Sequence, residues 1–233
     1  MLSVFRHPLL RELPGDHELL GHFEFAPLTR HQRLYEPGNL VDKLYFPESG
    51  LVSVLRRDGR RAVQSWCHGS GGRSFVGAFG VFLPTHICTS EYRVVVPGMA
   101  RVVARDTMKS LLVPGSLLEA RVNAIVQILN SAMQQMLLCH SWHLASERIA
   151  TQLLLVRYAL GWDRIPISRQ ALGNMVGCAR GTTYPVIENW VREGIISLSR
   201  GIRIRDAPAL EKAACGCFDI IMGERDSFLA AAN

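Results

Sequence analysis

Seven arginines fall between residues 164 and 205 (Arg164, Arg169, Arg180, Arg192, Arg200, Arg203 and Arg205) against two acids, Glu188 and Glu193, a local charge of +5 in 42 residues. The whole chain carries +6, so the remainder is close to neutral. A guanidinium stays charged at any ordinary pH and offers a planar fork of donors that fits phosphate oxygens and guanine edges, so this stretch is an electrostatic footprint for a polyanion. The chain holds 23 arginines and 3 lysines, and an arginine-rich solvated face would give a similar count. Charge alone leaves both readings open.

Other chemistry has less to work with. The six cysteines, Cys67, Cys88, Cys139, Cys178, Cys215 and Cys217, include no Cys-x-x-Cys pair and no histidine partner at zinc spacing. They are expected to be buried free thiols, with neither a disulfide framework nor a closed metal site. His68, His86, His140 and His143 stand singly and are read as surface or hydrogen-bonded histidines rather than haem or metal ligands. A metal enzyme of the cupin type would need a compact His-x-His and glutamate set, which is missing. No enzyme activity, metal or other cofactor is expected.

The arginines need elements to hold them. Residues 168–194, SRQALGNMVGCARGTTYPVIENWVREG, read as two short helices across a tight turn. Ser168 caps a first helix running to about Val176, Gly177 takes the left-handed conformation that ends it, and Gly173 is small where a second helix must cross. Leu172, Val176, Val186, Ile187 and Trp190 would close a small core. The following IISLSRGIRIRD reads as a hairpin turning at Ser199-Arg200-Gly201, with Ile202 and Ile204 facing in and Arg203 and Arg205 facing out. Upstream, SERIATQLLLVRYALG reads as a helix capped by Ser146, with Ile149, Leu153, Val156 and Leu160 on its apolar face and Gly161 at its end. Together these make a winged helix-turn-helix.

Pro185 conflicts with the second helix. Five residues beyond Arg180, it would remove one ladder bond and clash with the Gly181 carbonyl, a cost of about 3 kcal/mol. A helix starting at Thr183 or Tyr184 would put Pro185 in the first turn and avoid the cost; the alternative is a helix that begins at Arg180 and tolerates a kink. On the first reading CARGTT is a loosened loop. Arg180, Thr182, Thr183 and Tyr184 then face a groove from irregular backbone, with Ser168, Arg169, Arg200 and Arg203 as further contacts suited to phosphates and shape.

Two zones precede this module. From Ser116 to about His143 the chain is free of proline, and Leu118, Val122, Ile125, Leu129, Ala132, Met136, Cys139 and His143 recur at alternating steps of four and three. That is an a/d stripe, which predicts a long helix with Leu118, Val122, Ile125, Leu129, Ala132 and Met136 pairing against a second copy. From about Phe25 to Arg105, short alternating runs broken at Pro37-Gly38, Asp58-Gly59 and Pro97-Gly98 predict an antiparallel sandwich or barrel. The fold class is α+β, divided into a β-roll over residues 1–114, a dimerisation helix over 115–144 and a winged helix-turn-helix over 145–233. No apolar run reaches the roughly 18 residues that span a bilayer, and Arg6, His7 and Pro8 interrupt the opening apolar stretch, so no membrane contact and a cytoplasmic location are expected.

LYFPESGLVSVL, FVGAFGVF, SERIATQLL and SRQALGNMVGCAR carry a resemblance that covers nearly the whole chain. The sequence resembles the Crp/Fnr family of bacterial transcription regulators, whose members include the cyclic AMP receptor protein. The resemblance implies a β-roll sensor of the jelly-roll kind found in cyclic-nucleotide-binding proteins, a long dimer helix and a DNA-binding winged helix. It also implies a homodimer on a two-fold symmetric duplex site, with RNA polymerase as a further partner. In nucleotide-binding members the ligand cassette resembles F-I-G-E-L-G followed by R-S. Here Gly77 and Gly80 keep the glycines, but Ala78 stands where a glutamate would take the ribose hydroxyl, and Cys88 and Thr89 stand at the R-S pair. An alanine accepts no hydrogen bond and a neutral thiol forms no bidentate phosphate pair. The cassette is therefore degenerate, cyclic nucleotide is not the expected effector, and the effector is left open. Resembling oxygen sensors hold iron and sulfur on an N-terminal cysteine cluster, whereas the first cysteine here is Cys67. The competing reading is a ligand-binding or scaffold protein of the same fold that has lost specific DNA binding.

Overall fold

The structure, a computed structural model, describes residues 7, 9, 10, 13, 16–59, 61–72 and 74–232. Turn chemistry cuts its first half into short strands. After α1 (Asp16–Leu20) come β1 (Glu24–Leu28), β2 (Arg33–Tyr35), β3 (Lys43–Pro47), β4 (Leu51–Asp58), β5 (Arg61–Gly69), β6 (Glu91–Val96) and β7 (Gly98–Ala104). They form two antiparallel sheets, ordered β1-β7-β3 and β2-β6-β4-β5. Inward-facing Leu28, Phe46, Val52, Phe75 and Val94 lie in one buried cluster between them. Gly38 and Gly59 make their turns at φ 92° and 52°, a region that side chains disfavour. Gly98 is needed for a different reason than the expected turn: a Cβ there would lie 2.2 Å from the Ser49 carbonyl oxygen.

After α2 (Arg105–Leu111), the long helix α3 runs Leu117–Trp142. Ser116 caps it, its hydroxyl accepting the Glu119 N–H at 3.2 Å. The helix is the expected one, but its stripe is not a seam. Leu118, Val122, Ile125 and Leu129 belong to the core of the roll, and Ala132 and Met136 pack with Leu155 and Ile221. The C-terminal helix α8 (Cys217–Ala231) contributes Ile221 to that cluster, and Phe228 and Leu229 pack against the core of the roll. The dimer-interface assignment of Leu118, Val122, Ile125, Leu129, Ala132 and Met136 is thereby corrected: a face already covered by its own chain has no apolar area left to bury against another. The face left outside is offset, with Ala120, Asn123, Gln127, Asn130, Gln134 and Leu137 exposed. It ends in an apolar patch where Leu137 is 71% and Trp142 83% exposed.

The remaining elements are α4 (Ala145–Leu160), β8 (Arg164–Ile165), α5 (Arg169–Met175), α6 (Arg180–Arg192), β9 (Ile196–Leu198), β10 (Ile202–Ile204) and α7 (Ala207–Ala213). α4 starts before the cap expected at Ser146, because the Leu144 N–H is satisfied by Glu147 Oε2 at 2.8 Å. It ends at Gly161, φ 75°. Ile149, Leu153, Val156 and Leu160 of α4 join Leu172, Val176, Ile187, Trp190, Ile202 and Ile204 in a second core. The roll meets this half closely, since a Cβ on Gly69 or Gly71 would lie 2.3 Å or 2.1 Å from the carbonyl oxygens of Ala159 or Tyr158.

Candidate nucleic-acid interface

Ser168 caps α5 as expected, its hydroxyl accepting the Ala171 N–H at 3.0 Å, so this side chain is first of all a structural cap. Gly177 turns the chain at φ 65°. A Cβ on Gly173 would lie 2.7 Å from Thr183 Oγ1, and this is the close crossing that lets α6 lie on α5.

α6 begins at Arg180, not at Thr183 or Tyr184, and Pro185 lies inside it. The loosened-loop reading of CARGTT is therefore corrected. The Ala179 carbonyl accepts the N–H groups of Thr182 and Thr183, both at 3.0 Å, and the Thr183 hydroxyl at 3.1 Å. Thr183 is fully buried against Gly173. Packing thus sets the start of the helix, and the bond Pro185 forfeits is to Gly181, an exposed residue whose carbonyl can turn to water. Pro185→Ala should restore that bond at the expense of a freer unfolded chain, a net gain of about 1–2 kcal/mol. At about 2–4 °C per kcal/mol for a chain of this size, a calorimetric melt checks it. An unchanged or lowered midpoint would mean the helix is already relaxed around the ring.

Of the residues assigned to DNA, Thr183 is corrected to a packing role. Arg180, Thr182, Arg200 and Arg203 are exposed, and Arg169 and Tyr184 are half-buried. The guanidinium carbons of Arg169 and Arg180 lie 4.2 Å and 4.6 Å from the centre of the Tyr184 ring, so the tyrosine is a platform that orders two arginines beside the start of α6. This is a role that the expectation of a direct Tyr184 contact does not contain. Arg169 also donates to Glu188 Oε1 at 3.2 Å. Backbone N–H groups and the helix dipole at this end favour an anion. The wing follows its predicted register, β10 pairing with β9 and β8, Ile202 and Ile204 buried and Arg203 exposed. Its turn uses Arg200 at φ 50° and Gly201 at φ 123°. Arg205 is tied back, donating to Ser197 Oγ at 2.9 Å.

At the cassette, Gly77 stands at φ 94°, where a Cβ would lie 2.7 Å from both Leu44 and the Tyr35 hydroxyl, and one on Gly80 would lie 3.3 Å from the His86 ring. Ala78 and Cys88 are buried, and the Cys88 thiol donates to the Ser90 carbonyl at 2.9 Å. Thr89 is exposed. Arg56 donates to the Thr89 carbonyl, and three further arginines converge on one acid. Glu91, 5% exposed, accepts Arg57 Nε at 2.8 Å and pairs with Arg93 and, at 3.9 Å, with Arg33. Burial pushes its carboxyl up, but Arg57, Arg93 and Arg33 together hold it below the usual carboxylate range. A cleft of about 980 Å³ separates the β4–β5 side of the roll from α5.

His68 is a buried, hydrogen-bonded histidine, its Nδ1 3.0 Å from Ser74 Oγ, and burial pulls it down to about 3. Burial also lowers His86 and His140. The picture of six unrelated thiols does not hold: Cys139, Cys215 and Cys217 meet with His143 in one place. The signals were present as Cys139-x-x-x-His143 and Cys215-x-Cys217, but a spacing rule applied along the chain does not join pairs seventy residues apart.

Residues 147–213 match the family model of the Crp-like helix-turn-helix domain. Comparison with the curated proteins gives no match. Among solved structures, the chain is similar to FixK2 from Bradyrhizobium japonicum, at 16% identity and a TM-score of 0.69 over 83% of this chain and 98% of that one. It is similar to the c-di-GMP responsive global regulator CLP of Xanthomonas campestris, at 18% and 0.64 over 81% and 96%. A Crp/Fnr-family regulator from Thermus thermophilus matches at 19% and 0.65 over 82% and 98%.

Proposed function

We propose, from the premise that this chain is a DNA-binding regulator with a Crp-like helix-turn-helix domain on a Crp/Fnr-type fold, that it acts as a homodimer on a two-fold symmetric duplex site. One α6 serves each half-site. The observation that carries the reading is the start of α6, where exposed Arg180 and half-buried Arg169 stack on Tyr184 beside a helix end that attracts anions. Arg200 and Arg203, exposed in the wing, supply phosphate contacts. Residues 1–114 serve as the sensor-like roll, 115–144 as the dimer helix and 145–233 as the DNA-binding part, whose last helix α8 folds back onto α3 and the roll, and RNA polymerase is a further partner in the cytoplasm.

The second copy is taken up by the exposed face of α3, through Asn123, Gln127, Asn130, Gln134 and the apolar end at Leu137 and Trp142. Control by cyclic nucleotide is not part of this reading. Ala78 and Cys88 supply neither anchor, Glu91 engages Arg33, Arg57 and Arg93, and Arg56 donates to the Thr89 carbonyl. A titration of selected symmetric duplex tests the proposal. It should show two chains per duplex and a steep fall in affinity with salt, unchanged by excess cyclic AMP. Leu137→Glu should give a folded monomer by light scattering and lose the cooperative complex. Equal affinity for selected and random duplexes would instead favour a scaffold that no longer reads sequence.

A further inference from the structure

Four donor side chains meet where α3 runs into the DNA-binding half. Cys139 lies in the last turn of α3, and His143, four residues on, is its C-cap, with its N–H donating to the Cys139 carbonyl, so the two stand on one side of the helix end. Cys215 lies in the short link between α7 and α8, and Cys217, just beyond Gly216, is the first residue of α8. The four ligand atoms all lie within 4.8 Å of one another. Cys139 Sγ is 3.5 Å from Cys215 Sγ, and Cys217 Sγ is 3.4 Å from His143 Nδ1. All three cysteines are buried and His143 is half-buried. The sulfurs have hydrogen-bonding neighbours as well. Gln135 Nε2 donates to Cys217 Sγ at 3.1 Å, and the buried Thr151 hydroxyl lies 3.1 Å from Cys215 Sγ. Hydrogen bonds of this kind orient and tune metal-bound thiolates.

The dimensions discriminate between occupants. A tetrahedral ion with metal–sulfur bonds of about 2.3 Å and metal–nitrogen bonds of about 2.0 Å sets its sulfurs about 3.8 Å apart and sulfur and nitrogen about 3.5 Å apart. The observed 3.5 Å and 3.4 Å are close to that. An iron–sulfur cluster distributes its thiolates over separate irons and needs a wider set. Three thiolates and an imidazole suit a soft or borderline ion rather than magnesium, calcium or manganese. Four protein ligands leave no open position, which marks a structural rather than a catalytic site.

We propose that Cys139, His143, Cys215 and Cys217 bind one zinc ion in a closed tetrahedral site that staples the end of α3 to the α7–α8 link across the α3–α4 junction. The site stands on these side chains alone and holds whatever the helix-turn-helix binds. Ligation takes the thiolate form, so each coordinating cysteine releases a proton to solvent as zinc enters.

The test uses the full-length chain, reduced, stripped with a chelator and titrated with cobalt(II). A thiolate-to-cobalt charge-transfer band and the intense visible bands of a tetrahedral ion should saturate at one cobalt per chain and vanish on adding one equivalent of zinc. Gln135→Leu should weaken cobalt binding about 10-fold, and Cys215→Ser or His143→Ala by more, while Cys88→Ser should leave one site per chain. Should the ligand variants fail to fold, alkylation of the wild-type chain gives an independent reading. With zinc, Cys139, Cys215 and Cys217 should be protected and Cys178 should not, and a chelator should release all three. A wild-type chain that shows no tetrahedral spectrum, or whose alkylation pattern zinc leaves unchanged, overturns the site. So does a reduced chain that binds no cobalt and on reoxidation yields only a Cys139–Cys215 disulfide.

Discussion

Leu129→Lys is expected to unfold the chain rather than to yield a folded monomer. Leu129 is 1% exposed and lies among Val122, Ile125 and Ile128 in the core of the roll. An ammonium placed there is an uncompensated buried charge, a class of defect worth about 3–5 kcal/mol. Losing the leucine's own packing adds to this. Against a total stability of about 5–15 kcal/mol for a typical protein, that removes most of the margin. Circular dichroism should show a lost or strongly lowered cooperative melt at every protein concentration. Leu129→Met, which keeps the volume, should cost less than about 1.5 kcal/mol. A folded, monomeric lysine variant would restore the stripe as a seam between copies and place α8 elsewhere.

Arg180→Ala and Arg203→Ala should fail in different ways. Arg180 is held at the start of α6 by the Tyr184 ring, a placement from which a guanidinium can address a guanine edge. Its loss should cost about 1–3 kcal/mol on the selected duplex and relax preference at one base pair in each half-site. Arg203 stands outward on β10, between buried Ile202 and Ile204. As a phosphate contact its loss should weaken selected and random duplexes alike and reduce the salt slope by about 0.9 per contact. Titrating both variants against both duplexes at several salt concentrations separates the cases. Equal weakening of the two duplexes by Arg180→Ala would reduce the start of α6 to a phosphate clamp and remove direct readout there.

Much of the DNA-binding half was legible residue by residue because its signals are local. Ser168 as a cap, Gly177 as the left-handed stop, Gly173 as the close crossing and the outward Arg203 all follow from what one residue does to its own few neighbours. The extent of α3 was legible for the same reason, since a period of three and four residues over more than three heptads admits no strand. The roll was legible as strands and turns, though Gly98 proved to answer to the Ser49 backbone across the sheet rather than to its own φ.

Three features were decided only by the tertiary structure. Local propensity put the start of α6 after Arg180 because of Pro185. Burial of Thr183 against Gly173 outweighs one lost backbone bond, and that contact exists only once α5 and α6 have crossed. Periodicity identified the apolar stripe of α3 but could not say what covers it: a seam for a second copy and a face for the chain's own roll and α8 have the same spacing, and the chain path selects between them. Cys139 and His143 stand on one side of the helix end by local geometry, and Cys215 and Cys217 are close by sequence. Bringing the two pairs within 4.8 Å takes the return of the chain from the wing through α7 onto the end of α3, a closure that no local rule contains.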